Sequence, residues 1–584
     1  MHRHAHRNGE EGFALLTVII GMLALTGTLL ATTVYVANSL PVSRDGQDSA
    51  GAVQAAQAGV DDYLARLAAC DSYWQDRCGQ PASAGETGWQ DVDGSSQAQY
   101  HYDLLSTPNA GPAGTLRLRS TGRINVPGRD AKRTLVVDFV KDSLLDYIYF
   151  TDREALAPDT VVRLFPARIE KVDPPQNGVN ARRYAGIGAV EADKCARYHY
   201  ATATAPERGL PVERYEESTD GGTTWGTTTT RNISCDIQFA PVDTIKGPSY
   251  TQDAILLNNP LFEGEVSTRW PAGSTPAPNP SAWYRVTPGG TGPKPGSRLP
   301  AYASKDVKLP PSNEKIKDRT NPLITDGVKG CPYTGPTRIV LKTNGTMDVT
   351  SPLTRSTNPG CTSASPSAPL LDVVQNVPLP KNGVIYVSAS TEACSGKSLG
   401  TYPVAGDPTV YSCSAGDVFL EGTLSGRLTI ASQNDIVVTE DLLYATPAAD
   451  SLGLISNGDV QVYHPVKCAT TVAAPFSCTS WDNISTTLQD VTINAAVLSV
   501  RQSFTVQNFN RGQKLGTLLV SGGIYQKNRG AVGTGGSGGT GYAKDYRYDA
   551  RLRSLPPPSF LDPVAAPWAP GGSAEVKNPT GLPA

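Results

Sequence analysis

A run of twenty-five residues from Phe13 to Ala37, FALLTVIIGMLALTGTLLATTVYVA, contains no charged side chain. As a helix rising about 1.5 Å per residue it is roughly 37 Å long, enough to cross a hydrocarbon core of about 30 Å. Arg3, Arg7 and three histidines stand before it, whereas Arg44 and Asp45 behind it cancel. The positive-inside rule therefore keeps the N-terminus in the cytoplasm and sends everything after Ala37 across the membrane. A cleaved secretory signal has an apolar stretch of only about 7–15 residues and then a small-residue cleavage site. The run here is longer and no such site closes it. The expectation is a single-pass membrane protein with an extracytoplasmic body in the cell envelope or at the surface.

The cysteines predict the same compartment. The ten fall in sequence-adjacent pairs: Cys70 with Cys78, Cys195 with Cys235, Cys331 with Cys361, Cys394 with Cys413, and Cys468 with Cys478. None has the CxxC spacing of a zinc or redox site. Disulfides persist in oxidising compartments, so local bridging places residues 70 to 478 outside the cytoplasm, free buried thiols being the alternative. A net charge of −3 supplies no basic field, and nucleic acid is not an expected partner.

Charged residues make up only 18% of the chain, and 57 glycines and 46 prolines take their place. That balance predicts a mostly β body. Pro41 is expected to kink or end the first helix. Beyond it Val53, Ala56, Val60, Leu64 and Leu67 recur at three and four, the core stripe of an amphipathic helix. Three strand-like runs follow, YHYDLL, TLRLRSTGRI and KRTLVVDFV, so residues 38–141 read as a small α+β domain. From 142 to 567 short strands succeed one another with a weak repeat, Asp, then Val or Ile, then strand residues. It begins at Asp417, Asp435, Asp459 and Asp490. Leu428 to Leu454 and Thr492 to Leu518 are each 26 residues, and Leu454 to Thr492 is 38. The longer interval holds Cys468 and Cys478, as an insertion clipped by its own disulfide would. Coils of this length predict a large right-handed parallel β-helix, with tandem β-sandwiches as the alternative. Residues 271–322 read as a Pro/Gly-rich surface loop, Gly533–Gly541 as a flexible tip, and 568–584 as a disordered tail.

The junction Gly12-Phe13, a short polar leader ending in Gly and then Phe with an unbroken apolar helix, resembles the prepilin leader of type IV pilins and pseudopilins. The run AAQAGVDDYLARL is similar to the helix that follows the membrane span in minor pilins of the PilX type. The resemblance implies that residues 1–12 are removed by a prepilin peptidase on the cytoplasmic side. It also implies that 13–37 is the retained membrane helix, that 38–141 is a pilin-like head, and that other pilin-like subunits are partners. Thr17 stands where the family usually has Glu, which argues against a major filament subunit and suits a minor one at a tip. The stretches DTIKGPSYTQDAILLNNPLFEGEV, CPYTGPTRIVL, LGLISNGDVQVYHPV and LPPPSFLDPVAAPW resemble an uncharacterised class of bacterial envelope proteins with PilX-like N-termini, and imply no activity.

No catalytic, metal or cofactor site is expected. Gly533–Gly538 fits a dinucleotide fingerprint and Gly535–Gly539 a nucleophile elbow, but neither has the strand and helix that these motifs need, and low complexity explains both. Only His101, His199 and His464 lie beyond the leader, whose His2, His4 and His6 read as solvated. The strand-start aspartates read as turn residues bonding backbone amides, with paired glycosidase carboxylates as the alternative. The expected function is non-enzymatic: a minor pilin-like subunit or adhesin displaying a β-helix toward surface glycans or a host surface. The alternative is a membrane-tethered β-helix enzyme acting on polysaccharide. Mass spectrometry of the protein from its native host should find Phe13 as the mature N-terminus, and Gly12→Leu should leave the leader attached. An uncleaved wild-type chain would exclude prepilin-type processing.

Overall fold

The computed structural model describes residues 11–70, 73–95, 97–107, 115–127, 129–141, 143–166, 168–176, 178–198, 209–269, 283–303, 306–321, 323, 328–392, 394, 399–472, 477–484, 486–535, 538–564 and 568–576. The leader lies outside them, apart from its last two positions. Contacts divide the chain into two units. The first comprises residues 1–107, 115–141 and 567–584, and the second 108–114 and 142–566.

The first unit is a helix on an antiparallel sheet. One helix, Glu11–Ala69, runs 59 residues. It passes through Pro41, where the sequence led us to expect a kink or an end. Proline removes one backbone donor, and a helix this long keeps the hydrogen bonds of the turns on both sides. Its second half buries Ala52, Ala55, Ala56, Val60, Tyr63 and Leu67, with Val53 and Leu64 half-buried, against the sheet. Two glycines set how close the layers come. A Cβ on Gly122 would lie 2.0 Å from the Ala52 carbonyl oxygen, and one on Gly59 would lie 2.4 Å from Ser120 Oγ. That hydroxyl donates to the Ala56 carbonyl at 2.7 Å.

The sheet is built from Gln90–Asp91, Ala98–Ser106, Thr115–Val126 and Arg129–Val140. Its fifth strand is Ala569–Val576, paired antiparallel to Arg129–Val140. Over residues 568–576 this corrects the reading of 568–584 as disordered. Trp568 is buried and next to the Lys141 ammonium, and the strand after it is held by backbone pairing that its Pro-Gly-Gly composition concealed. Residues 577–584 lie outside the described residues. The head is therefore more than residues 38–141, and the second unit is an insertion between two neighbouring strands of its sheet.

The second unit is mostly β and its long sheet pairs mainly in parallel. One ladder runs through Cys331–Thr334, Val384–Ser388, Arg427–Ser432, Ser451–Ser456, Val491–Ser499 and Lys514–Asn528. A second runs through Thr337–Leu341, Val418–Leu424, Ile436–Tyr444, Val460–Val462 and Phe504–Val506. Inward residues such as Ile339, Leu420, Val438, Leu454, Val497 and Ile524 form one apolar core. The registers differ from the spacing read in the sequence. Leu428 pairs with Leu452, Leu454 with Val497, and Leu518 with Val491. Cys468 and Cys478 do lie in an antiparallel hairpin, Val466–Val472 with Ser477–Asn483, within the longest interval. Antiparallel pieces also occur at Thr346–Thr350 and Gln375–Pro378 and in a separate sheet spanning 168–234.

Two expected excursions take part in the stack. Within 271–322, Arg285–Val286 pairs parallel with Leu256–Leu257, and Ala301–Tyr302 pairs with Val266–Thr268. Asn313 is fully buried and donates to the carbonyls of Ser432 and Ile455. Proline and glycine there mark corners between very short strands as well as loop. Gly533 and Gly541 form an antiparallel bridge, so the tip has paired shoulders, while residues 536–537 lie outside the described residues.

The chain enters this stack in its middle. Tyr149–Arg153 pairs on one side with Lys514–Asn528 and on the other with Ser249–Thr251. Buried charges mark the seam. Arg529 pairs with Glu154 at 2.9 Å, with side chains 2% and 0% exposed. Its guanidinium also donates to the carbonyls of Ile237 and Gln238 and lies 3.5 Å from the Phe239 ring centroid. Lys544 pairs with Asp243 at 2.8 Å beside it. Removing one member of such a pair strands the other charge, whereas replacing both with apolar groups is far milder. Arg529→Met should destabilise the body by about 3–5 kcal/mol, and the double variant Arg529→Met/Glu154→Leu should recover most of that loss in denaturant unfolding.

Candidate functional site

The feature with the plainest functional geometry is the first half of the long helix. Leu16–Tyr35 has a mean hydropathy of 1.9 and none of it is buried within the protein. Four of its threonines are satisfied internally: Thr26, Thr28, Thr32 and Thr33 each donate to the carbonyl four residues back, at 2.5–3.0 Å. A segment in hydrocarbon must satisfy its polar groups in this way. Gly12 and Phe13 lie in the first turn of the helix, and Thr17 is exposed on it.

Five disulfides clip the chain, Cys70–Cys78, Cys195–Cys235, Cys331–Cys361, Cys394–Cys413 and Cys468–Cys478. No cysteine is free. One apolar N-terminal helix and five disulfides are together consistent with a single-pass membrane protein whose body is extracytoplasmic.

Three of the four strand-start aspartates are brought together. Val418, Ile436 and Val460 are successive rungs of one ladder, so Asp417, Asp435 and Asp459 stack along it. Each carboxylate accepts from the backbone at the start of the next strand of the ladder. Asp417 accepts from the Asp435 N–H at 3.2 Å and from the Asn434 amide, Asp435 from the Asp459 N–H at 2.8 Å, and Asp459 from the Ser503 N–H at 2.9 Å. Gln461 donates to Asp435 at 3.0 Å. Asp490 is not part of this column. Its strand pairs elsewhere, and its carboxylate accepts from the Thr517 N–H at 2.6 Å. The recurring role is that of a corner residue satisfying amides that the short strands leave open.

Other chemistry is sparse. Among the described residues no group of three or more His, Cys, Asp or Glu could hold a metal ion. His464 is buried and bonds the Gln507 carbonyl and the Asn483 side chain, and His101 bonds the Gly88 carbonyl; His2, His4, His6 and His199 lie outside the described residues. Sequence reading missed the buried charges at Arg529, Glu154, Lys544 and Asp243. They stand in unremarkable sequence contexts, and only folding brings together residues hundreds of positions apart. It also missed an aromatic cluster in which Tyr402 stacks on Phe419 at 5.0 Å with Tyr411 and Tyr463 edge-on.

No family model and no curated protein matches the chain. Among solved structures it is similar to the crystal structure of competence-associated pilin ComZ from Thermus thermophilus, at 12% identity, with 91% of this chain and 97% of that chain covered and a TM-score of 0.25. A score of that size does not establish a common fold.

The aspartate column carries a pH dependence. Burial, with Asp459 and Asp417 nearby, pushes the Asp435 carboxyl up to about 8, and burial pushes Asp459 up to about 6 against the pull of Arg163. Asp417 is raised by burial as well. Asp435 keeps some exposure, and Asp159 adds repulsion at Asp459. Unfolded aspartate titrates near 3.9, so between that value and about 8 the native column binds more protons than the unfolded chain. Its contribution to stability is complete at the acid end and is lost as pH rises through about 6 to 8. Thermal melts at about pH 5 and about pH 8.5 should differ less for Asp435→Asn than for the parent. An unchanged pH response would refute the coupling.

Proposed function

We propose that the chain is a non-enzymatic, membrane-anchored minor pilin-like subunit that displays its inserted body outside the cell. The observation that carries this reading is a single helix whose first half is apolar and uncovered and whose second half packs on an antiparallel sheet. Such a helix can lie in a bilayer or among like helices of a filament while its head stays folded. The Gly12-Phe13 junction adds a processing site for a prepilin peptidase, and Thr17 in place of Glu suits a subunit with nothing stacked beyond it. The positive-inside rule and the disulfides support a cytoplasmic N-terminus with the rest outside.

The body we read as a parallel β-helix. Coil-to-coil parallel pairing supports this over tandem sandwiches, which pair antiparallel, and parallel crossovers are right-handed in about 98% of cases. The repeated use of aspartate as an amide acceptor supports a structural body over a polysaccharide-cleaving one. Its displayed surface would meet glycans or a host surface.

Antibody against the body should label intact cells of the native host, and the chain should appear in the sheared filament fraction. Gly12→Leu should hold it in the membrane and remove it from that fraction. A wild-type chain found only in the membrane, with or without Gly12, would favour a plain anchored surface protein.

A further inference from the structure

A buried amine and a buried carboxyl meet where two distant strands of the body begin to pair. Thr244 pairs with Asp545 and Ile245 with Tyr546 in a parallel ladder, which places Asp243 and Lys544 together just before its first rung. Lys544 Nζ donates to Asp243 Oδ2 at 2.8 Å, across 301 positions of sequence. The two side chains are 11% and 2% exposed. Phe239, Ile245 and Tyr546, close to them in the chain, all belong to the apolar core.

The carboxyl is fixed and polarised. Asp243 closes a turn in which its N–H donates to the Ala240 carbonyl at 3.0 Å. The Ala240 N–H in turn donates at 2.8 Å to the same Oδ2 that receives Lys544. A backbone donor fixed on a carboxyl oxygen stabilises negative charge that develops there. The amine is prepared as well. Burial holds the Lys544 ammonium below its ordinary value against the pull of Asp243, and the Arg529 guanidinium adds to the effect. A desolvated lysine beside another cation is one way an amine becomes a nucleophile. A nitrogen hydrogen-bonded to one carboxyl oxygen is also near the carboxyl carbon, close to the roughly 3–3.5 Å of a near-attack arrangement.

We propose that Lys544 and Asp243 condense into an intramolecular isopeptide bond that staples the body together. One proton passes from the ammonium to the carboxylate, leaving a neutral amine and a carboxylic acid with its proton on Oδ1. Nζ bonds to Cγ, and Oδ2 carries the negative charge against the Ala240 N–H. The Cγ–Oδ1 bond then breaks, and Oδ1 leaves as water with the acid proton and one proton of the amine. Condensation removes two charges from an apolar interior, where each is costly to hold, and the partly exposed lysine stem gives the water a way out. The ion pair sets the register first and the amide makes it permanent, closing a covalent loop over 301 positions. The bond is a property of the inserted body and does not rest on the pilin-like reading.

Mass spectrometry of the full-length chain, with its disulfides reduced and alkylated, tests this. The intact protein should be one water lighter than its mature sequence requires. Trypsin cannot cut after an amidated Lys544, so residues 232–246 and 530–547 should emerge as one branched peptide that lacks the same water. Lys544→Arg keeps a cation beside Asp243 but cannot form the amide. Its mass should be whole and its two peptides separate. Recovery of free 232–246 and 530–544 as the main products of the wild-type chain would overturn the proposal. So would a missing water that maps to other residues, or one that persists in Lys544→Arg.

Discussion

The body depends on one contact between distant parts of the chain, the pairing of Tyr149–Arg153 with Lys514–Asn528. Hydrogen bonds alone would tolerate a slip along such a ladder, because every rung offers the same donors and acceptors. The buried pair Arg529–Glu154, 375 positions apart, does not tolerate it. A slip would leave a guanidinium and a carboxylate without partners in an apolar interior, which costs far more than the pair contributes when made. Lys544 with Asp243 repeats the device one strand away, across 301 positions. Charge here acts as a specifier of register rather than as a source of stability. A seam closed over so long a loop is also expected to form slowly, since chain entropy must be overcome before the contact rewards it.

The same economy explains how the body is attached. The head's sheet is complete only when Ala569–Val576 reaches Arg129–Val140, where Ala569 pairs with Val140 itself. The inserted unit leaves and rejoins the head at adjacent strands, so a large insertion asks for almost no distortion of its host, as inserted domains with close ends generally do. The tight helix–sheet contact at Gly59 and Gly122 keeps the head small, and the helix continues beyond it as bare apolar surface.

Acidic residues that recur along a parallel ladder invite a catalytic reading, and here each carboxylate is engaged as an acceptor for backbone amides. Asp417, Asp435 and Asp459 each accept from the backbone at the start of the following strand. Asp441 receives the Thr492 N–H at 2.7 Å, and Asp450 receives those of Gly426 and Thr446. A short strand leaves amides unpaired at every corner, and a carboxylate is the most compact acceptor for them. Burying such corners takes the carboxylates out of water, so Asp417, Asp435 and Asp459 hold their protons more tightly than a solvated aspartate, with the charges of Asp459 and Asp417 adding to the effect at Asp435.

The sequence by itself determined the local features: the uncharged span of Phe13–Ala37, the core stripe at Val60 and Leu67, the β character of the body, the sequence-adjacent cysteine pairs and the amide-accepting role of Asp459. Each of these follows from residues a few positions apart, where composition, periodicity and turn chemistry act. The rest needed the folded chain. Pro41 does not end the helix, the Pro-Gly-Gly segment after Trp568 is a strand, and 271–322 supplies rungs of the stack, because long-range pairing and packing override weak local preference. The strand registers, 24 for Leu428 with Leu452 where spacing had suggested 26, are set by which side chains face the core and not by the repeat letters alone. The seam at Arg529 and the insertion into the head are decided only in three dimensions, since they join residues that no local pattern connects.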